Sequence, residues 1–298
     1  MLGPPGRLMD FLRPDTLAEA LALKAARPAA VPVAGGTDVM VELNFDHRRP
    51  AALLDLTRIT ELRGWSARGG VVRLGAGVTY ARVLAELGDR LPGLAMASRT
   101  VGSPQIRNRG TVGGNLGAGS PAGDAHPVLL ALGAVVEAAS TRGARLIPAT
   151  DFYLGVKRTA LAPDELITAV HVPETGAPQQ FCKVGTRNAM VIAVCSFAVA
   201  LHPARGRVGA AVGSAAPTPR RAREAEDFLS AELAATDRWE SPKPLSEPVR
   251  REFGELVALA ADPIDDVRGT AAYRRHALSV LARRALDWAW QDYTGKGR

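Results

Sequence analysis

Two short stretches pair adjacent glycines with small polar side chains. "VPVAGGTDVM", Val31 to Met40, runs an apolar segment into Gly35-Gly36-Thr37-Asp38. "RGTVGGNLGAGSPAGDAHPV" sets Thr111 ahead of Gly113-Gly114-Asn115 and carries Asp124 a little further on. Taken singly, a glycine pair after a strand is an ordinary turn, because glycine tolerates positive φ. Taken together, the two suit a sharper purpose. Backbone without Cβ atoms lets several N–H groups converge on anionic oxygens. Thr37 and Thr111 can donate hydroxyl hydrogen bonds to the same oxygens, and Asn115 both donates and accepts. Two such loops can enclose a diphosphate from opposite sides with little help from cationic side chains, so a dinucleotide cofactor accounts for both at once.

The nearby titratable groups have plainer readings too. Asp124 is placed to cap a short helix beginning near His126, and Asp38 to cap "VMVELN". Lys183, in "FCKVGTRNAM", reads as a solvated strand residue, and His126 beside Pro127 as structural. Other chemistries lack their residues. The only Gly-Lys pair sits near the C-terminus, so there is no Walker A loop, and Gly75-Ala76-Gly77 lacks the third glycine of a Rossmann fingerprint. His47, His126, His171, His202 and His276 form no local metal signature, and no GxSxG elbow occurs. Cys182 and Cys195 make no disulfide framework and are too few to hold a four-cysteine zinc or an iron–sulfur cluster alone.

The elements that must position the glycines follow from period and punctuation. Thr16 and Glu19 have capping-box spacing ahead of a helix with Leu17 and Leu21 on one face, ended by Pro28. Ala30 to Ala34 is then a short strand entering Gly35-Gly36. "ALLDLTRI" and "VVRLGAGV" are further strands, and Thr79 caps a helix carrying Val83, Leu84 and Leu87, stopped by Gly88 and Pro92. "HPVLLALGAVVEAAS" joins a helix to a strand, and "ARLIPATDFYLGV" and "DELITAVHVP" are strands and turns. Beyond about residue 176 come strand-like "QQFCKVGTRNAMVIAVCSFAVAL" and "GRVGAAVGSAA", helical "TPRRAREAEDFLSAEL", and a loop at 234–248. Two closing helices follow, the last with Tyr273, Ala277, Val280, Leu281, Ala285 and Trp288 as its stripe.

The net charge is +7 at a pI of about 9.9, but the arginine pairs are scattered and aromatics make up only 5%, which argues against a nucleic-acid surface. No apolar run reaches membrane-span length, and the N-terminal stretch lacks the apolar core of a secretory signal. The expected location is the cytoplasm.

"AGGTD" and "GTVGGNLGAGSPAGDAHPVLLALGA" resemble the two signature loops of the FAD-binding subunit of molybdenum hydroxylases, the group of xanthine dehydrogenase and carbon monoxide dehydrogenase. "FYLGVKRTALAPDELI", "KVGTRNAMVIA", "AAPTPRRAREAE" and "DDVRGTAAYRRHALSVLARRAL" resemble family segments in the family's order, so the likeness covers nearly the whole chain. The resemblance implies an α+β fold. A PCMH-type FAD-binding domain at residues 1–176, with subdomains at about 1–58 and 59–176, would precede a C-terminal domain at 177–298 with a small antiparallel sheet and a helical bundle. It implies that Ala34, Gly35, Gly36, Thr37, Asp38 and Val39 wrap the FAD diphosphate and that Thr111, Gly113, Gly114 and Asn115 oppose them. Asp124, Ile167 and Lys183 would line the flavin side, with Val101 where relatives carry a bulkier apolar residue.

By the same resemblance, a large partner carries molybdopterin and substrate, and a small partner carries [2Fe–2S] clusters that feed FAD. The flavin passes electrons to NAD or another acceptor, in a dimer of heterotrimers. "KVGTRNAMVIA" leans toward the xanthine dehydrogenase branch. The shortage of cysteine suits this division, since the clusters must be held elsewhere.

Overall fold

A computed structural model describes residues 9–295. Residues 1–8, where the stretch read against a secretory signal begins, and Lys296 of the Gly-Lys pair lie outside that range.

The first 60 or so residues form a small α/β unit, as cap and period dictate. The Thr16 hydroxyl accepts from the Glu19 amide at the start of helix Leu17–Ala26. The Glu19 carboxylate reaches back to the amide of Asp15, one residue earlier than in a regular capping box. Strands Asp10–Leu12, Ala52–Asp55 and Val31–Val33 pair in parallel with Ala52–Asp55 in the centre. All four residues of that central strand are buried, as parallel strands covered on both faces require. Val31–Val33 delivers the first glycine loop from the edge of this sheet.

The second unit is a five-stranded antiparallel sheet. Its order is Trp65–Arg68, Val71–Gly75, Leu166–Pro173, Val135–Ser140, Gly143–Pro148. Between Val71–Gly75 and Val135–Ser140 the chain makes a run of short helices. Thr79 caps Tyr80–Glu86 by accepting from the Arg82 amide. Pro92 does more than stop that helix: it opens the next, Pro92–Thr100, at a position where a missing N–H costs nothing. Pro104 does the same for Pro104–Arg109 behind its cap Ser103. The second glycine pair is likewise no corner. Gly113 and Gly114 sit in the first turn of helix Val112–Ala118, capped by Thr111.

The C-terminal part is an antiparallel sheet, Gln179–Val184, Cys195–His202, Arg207–Gly213 and Arg220–Arg221, with helices Arg223–Ala235, Glu247–Leu259 and Ala271–Tyr293. Strand Cys195–His202 is apolar on both faces because both are covered. Ala198 and Ala200 join the large core of the preceding unit, whereas Cys195, Phe197, Val199 and Leu201 pack toward the helices. The last helix is present as read, but its buried face is turned. Ala277, Leu278, Ala282, Ala285, Leu286, Ala289 and Trp290 face inward, while Tyr273 and Trp288 are each 48% exposed. Small side chains let this helix lie close to the neighbouring helix and sheet, and the two bulky aromatics are left outside.

Glu137, on strand Val135–Ser140 beside the central strand of the five-stranded sheet, gathers a polar cluster. It accepts from Arg73 Nη2 at 2.6 Å and from the Thr168 hydroxyl at 2.7 Å, and lies 2.8 Å from His171 Nε2. Arg73, chiefly, holds its carboxyl down at about 2. A carboxyl depressed in the fold contributes stability above its ordinary value and loses it as pH falls toward the folded value. The part of acid destabilisation due to this group should therefore fall between about pH 4.5 and about pH 2. After discounting for the partly exposed guanidinium it amounts to about 1–2 kcal/mol. In Arg73→Met, urea midpoints measured from neutral pH down to pH 3 should show a shallower acid limb than wild type. An unchanged slope would refute the assignment.

Candidate functional site

The three larger sheets meet around one cavity of about 900 Å³, toward the upper end of the range usual for cofactor sites. Ala34 to Val39 reach it from the parallel sheet. Thr111, Gly113, Gly114 and Asn115 reach it from the short helix opposite, and Val101 from the end of Pro92–Thr100. Ile167 comes from the central strand of the five-stranded sheet, and Lys183 from the C-terminal sheet. Together with Asp124, every residue singled out from the sequence lines this one cavity.

The glycines divide the labour differently from the sequence reading. A Cβ on Gly35 would lie 2.0 Å from the Arg109 carbonyl oxygen and 2.9 Å from the Gly110 nitrogen. One on Gly113 would lie 2.5 Å from Ala76 Cβ. These two are bare because the chain packs against itself there, seating the first loop on the second segment and the short helix on the sheet. The others face the opening. Gly36, at φ +76°, has only ordinary contacts, with Met40 and Val33. Gly114 and Gly117, one turn apart, present a bare helix face to the cavity. A Cβ on Gly117 would touch only Ile167 Cδ1 at 3.7 Å, and one on Gly114 would approach closely only the Thr111 hydroxyl, at 2.9 Å. Glycine inside a helix costs about 1 kcal/mol relative to alanine. Nothing in the chain requires it at Gly117, and at Gly114 only the capping hydroxyl of Thr111 does, so the clearance on this face suits a bulky guest close to the backbone.

The backbone donors are likewise one-sided, which corrects the expectation of two converging nests. In the second segment the four amides from Val112 to Asn115 are spent within the chain. Val112 donates to Val78 O, Gly113 to Ala76 O, Asn115 to Thr111 O, and Gly114 to the Thr111 hydroxyl at 2.9 Å. In the first loop, the amides of Gly35, Gly36, Thr37 and Asp38 donate to no acceptor among the described residues. Anionic oxygens would find amide donors on that side and side-chain donors on the other.

Both capping readings fail. Asp38 makes no side-chain bond to helix Val39–Asn44, and Asp124 none to Ala125–Leu132. Asp124 is turned instead to Lys183, whose Nζ lies 2.6 Å from Oδ2 and 3.2 Å from Thr100 O. The Thr100 hydroxyl lies 2.8 Å from the same Oδ2. Lys183 is therefore no solvated strand residue: the pair is 10% and 6% exposed at the side chains. Burial pushes the Asp124 carboxyl up from its ordinary value, outweighing the pull of the ammonium. Its Oδ1 and the Oδ1 of Asn115 are buried without a partner. Each such atom costs about 1–3 kcal/mol while unsatisfied, so both oxygens are places where a further donor would stabilise the site.

The rim holds groups the sequence reading passed over. Lys157 pairs with Glu42 at 2.6 Å, clipping the strand turn at 155–158 over helix Val39–Asn44. Arg109 stands exposed at the opening with no ion pair among the described residues. Tyr80 is buried in the wall, its hydroxyl pushed well up by burial. Met190 and Ile192 are more than half exposed at the mouth. Of these only the apolar run at 190–192, emerging from a polar segment, had a signal in sequence. Cys182 and Cys195 are buried away from reactive surroundings, and burial pushes their thiols up to about 11 and about 12.

Comparison with known proteins gives a consistent result. Residues 7–175 match the family described as "FAD binding domain in molybdopterin dehydrogenase", and residues 180–289 match "CO dehydrogenase flavoprotein C-terminal domain". The chain is 31% identical to the nicotine 6-hydroxylase medium subunit of Paenarthrobacter nicotinovorans, over 93% of this chain and 95% of that protein. It is 31% identical to the xanthine dehydrogenase FAD-binding subunit of Escherichia coli, over 96% and 98% of the two chains. Among solved structures it resembles a chain of carbon monoxide dehydrogenase from Hydrogenophaga pseudoflava. That match has a TM-score of 0.86 at 28% identity, covering 97% of this chain and 99% of the other.

Proposed function

The chain belongs to the family of FAD-binding domains of molybdopterin dehydrogenases, an oxidoreductase component whose cofactor is FAD, and from that premise we propose that it is the electron-transfer subunit of a molybdenum hydroxylase of the xanthine dehydrogenase type. The observation that carries the reading is the bare Gly114–Gly117 face opposite the free amides of Gly35 to Asp38 in one cavity. These residues fit FAD. Ala34 to Val39 would hold the diphosphate through backbone N–H groups, while Thr111 and Asn115 close on it with side chains. Val101, Asp124, Ile167 and Lys183 would flank the ring end. FAD, when bound, supplies the exchange between single electrons and electron pairs. The chain's own part is to bind, orient and shield it, which needs no general acid or base.

The proposal extends to the assembly. A small subunit would carry [2Fe–2S] clusters and a large one molybdopterin, as a dimer of heterotrimers in the cytoplasm, with NAD as a natural soluble acceptor. Residues 1–176 would be the FAD-binding domain and 177–298 the part that completes the cavity wall through Lys183. Supporting the purine reading are the match to a xanthine dehydrogenase subunit over nearly its full length and the segment "KVGTRNAMVIA". Purified protein supplied with FAD should bind one equivalent, quench its fluorescence and show a visible band near ~450 nm set by the flavin. A folded, colourless protein that leaves FAD fluorescence unchanged would overturn the cofactor site. For the purine reading, the intact assembly should oxidise xanthine or hypoxanthine. Activity confined to carbon monoxide or another N-heterocycle would overturn that part alone.

A further inference from the structure

Behind the cavity wall lies a second polar layer that FAD cannot reach. His126 is fully buried in helix Ala125–Leu132, and both its ring nitrogens lack a hydrogen-bond partner. The Asn115 and Ser120 backbones approach the ring without reaching hydrogen-bond geometry. The ring of Tyr153 packs against it at 5.0 Å, also with an unpartnered hydroxyl. Neither His126 nor Tyr153 lines the cavity, so a guest there cannot satisfy them. One cavity residue can. The position a Cβ would occupy on Gly123 is 2.7 Å from His126 Nε2 and 2.8 Å from Asn115 Oδ1. Both atoms therefore lie beside Gly123 and, by the sum of those two distances, no more than about 5.5 Å apart, a gap that one water can bridge.

The chemistry of the two groups makes the contact directional. Burial lowers His126 to about 4, so its ring is neutral at ordinary pH and carries one N–H donor and one acceptor. Asn115 Oδ1 is a buried acceptor without a donor. If the oxygen is held inward, the amide NH₂ is left for the cavity, where an anionic ligand needs a donor and where the neighbouring backbone amides are already spent.

We propose that His126 is a positioning residue for the cofactor: its ring N–H donates, across at most one buried water, to Asn115 Oδ1 and so locks the Asn115 carboxamide with its NH₂ toward the FAD cavity. The inference rests on the FAD reading of that cavity, and goes beyond it in assigning a role to a residue that touches neither cofactor nor cavity. Outer-shell partners that orient metal ligands typically alter affinity tenfold or more, and an effect of that order is expected here.

The test is a double-mutant cycle on the full-length apoprotein, titrated with FAD by fluorescence quenching. His126→Leu should weaken FAD binding about tenfold, and His126→Gln, which keeps an N–H donor, should restore it to within about threefold. Asn115→Ala should weaken binding by at least as much, and His126→Leu should then add nothing in that background. A purely structural role would give effects that multiply. A second readout covers the case in which His126→Leu fails to fold. In apoprotein with ¹⁵N-labelled histidine, Asn115→Ala should shift the protonated ring nitrogen of His126. Multiplying effects, an unmoved resonance, or wild-type affinity in a folded His126→Leu protein would overturn the proposal. If the wild type itself fails to bind FAD, the reading of the cavity falls instead. If Asn115→Ala weakens binding and His126→Leu does not, only the positioning role falls.

Discussion

Gly35→Ala will lower FAD affinity by about a hundredfold or more and destabilise the protein by about 1–3 kcal/mol, the usual cost of overpacking. The added methyl would sit 2.0 Å from the Arg109 carbonyl oxygen, which is backbone and cannot swing aside as a flexible side chain would. To admit it, the first loop must lift off the Arg109–Gly110 segment. That displaces the loop whose amides are free, together with the segment that leads into Thr111. Gly117→Ala supplies the contrast. Its methyl meets only Ile167 Cδ1 at 3.7 Å, so the apoprotein should gain up to about 1 kcal/mol from better helix propensity. FAD affinity should nevertheless fall, because the bare face is filled. Melting curves of the apoproteins and FAD titrations of both variants check the pair. A Gly35→Ala protein with wild-type melting and affinity would show that the loops do not depend on each other. A Gly117→Ala protein that binds FAD as wild type does would show that nothing approaches that face.

This contrast marks how far the sequence could be read. The glycine pairs, the hydroxyls beside them and the family likeness picked out residues that share one cavity, and caps such as Thr16 and Thr79 were legible because they depend on neighbours three residues away. Which glycine faces a guest and which faces the chain was not legible. Gly35 and Gly113 are bare because of Arg109 and Ala76, and sequence separation says nothing about those contacts. The second pair reads as a corner by the usual rule, since glycine disfavours helix, yet it lies in one. Thr111 caps that helix and Leu116 anchors it in the core, and together they outweigh local propensity. Lys183 looked solvated because its strand has polar neighbours. Its burial comes from Asp124 and Thr100, contributed by another unit altogether. The last helix shows the same limit in its register. Tyr273 and Trp288 drew the stripe toward themselves, while the true seam is lined largely by alanines that permit close approach.

Lys183→Met should be the costlier of the two large perturbations for stability, at about 3–5 kcal/mol, because it leaves a buried carboxylate without its cation. The sign of its pH dependence follows from Asp124. Burial already raises that carboxyl above its ordinary value, and losing the ammonium raises it further. A carboxyl that holds its proton more tightly folded than unfolded weakens the fold as pH rises from its ordinary value through its folded one, and the loss is complete above that. The deficit of Lys183→Met should therefore be small in acid, grow as pH rises, and be greatest at neutral pH and above. Removing the second charge as well, in Asp124→Asn with Lys183→Met, should return most of the stability, since no ion is left buried. The double variant should still bind FAD weakly if the pair belongs to the cofactor wall, which separates holding the fold from holding the guest. Urea midpoints at pH 5 and pH 8, with FAD titrations on the wild type and both variants, decide it. A Lys183→Met deficit equal at both pH values would mean that Asp124 does not carry the uncompensated charge. Full recovery of FAD affinity in the double variant would remove the pair from the cofactor site and leave it a purely structural clasp between the C-terminal sheet and the segment ahead of helix Ala125–Leu132.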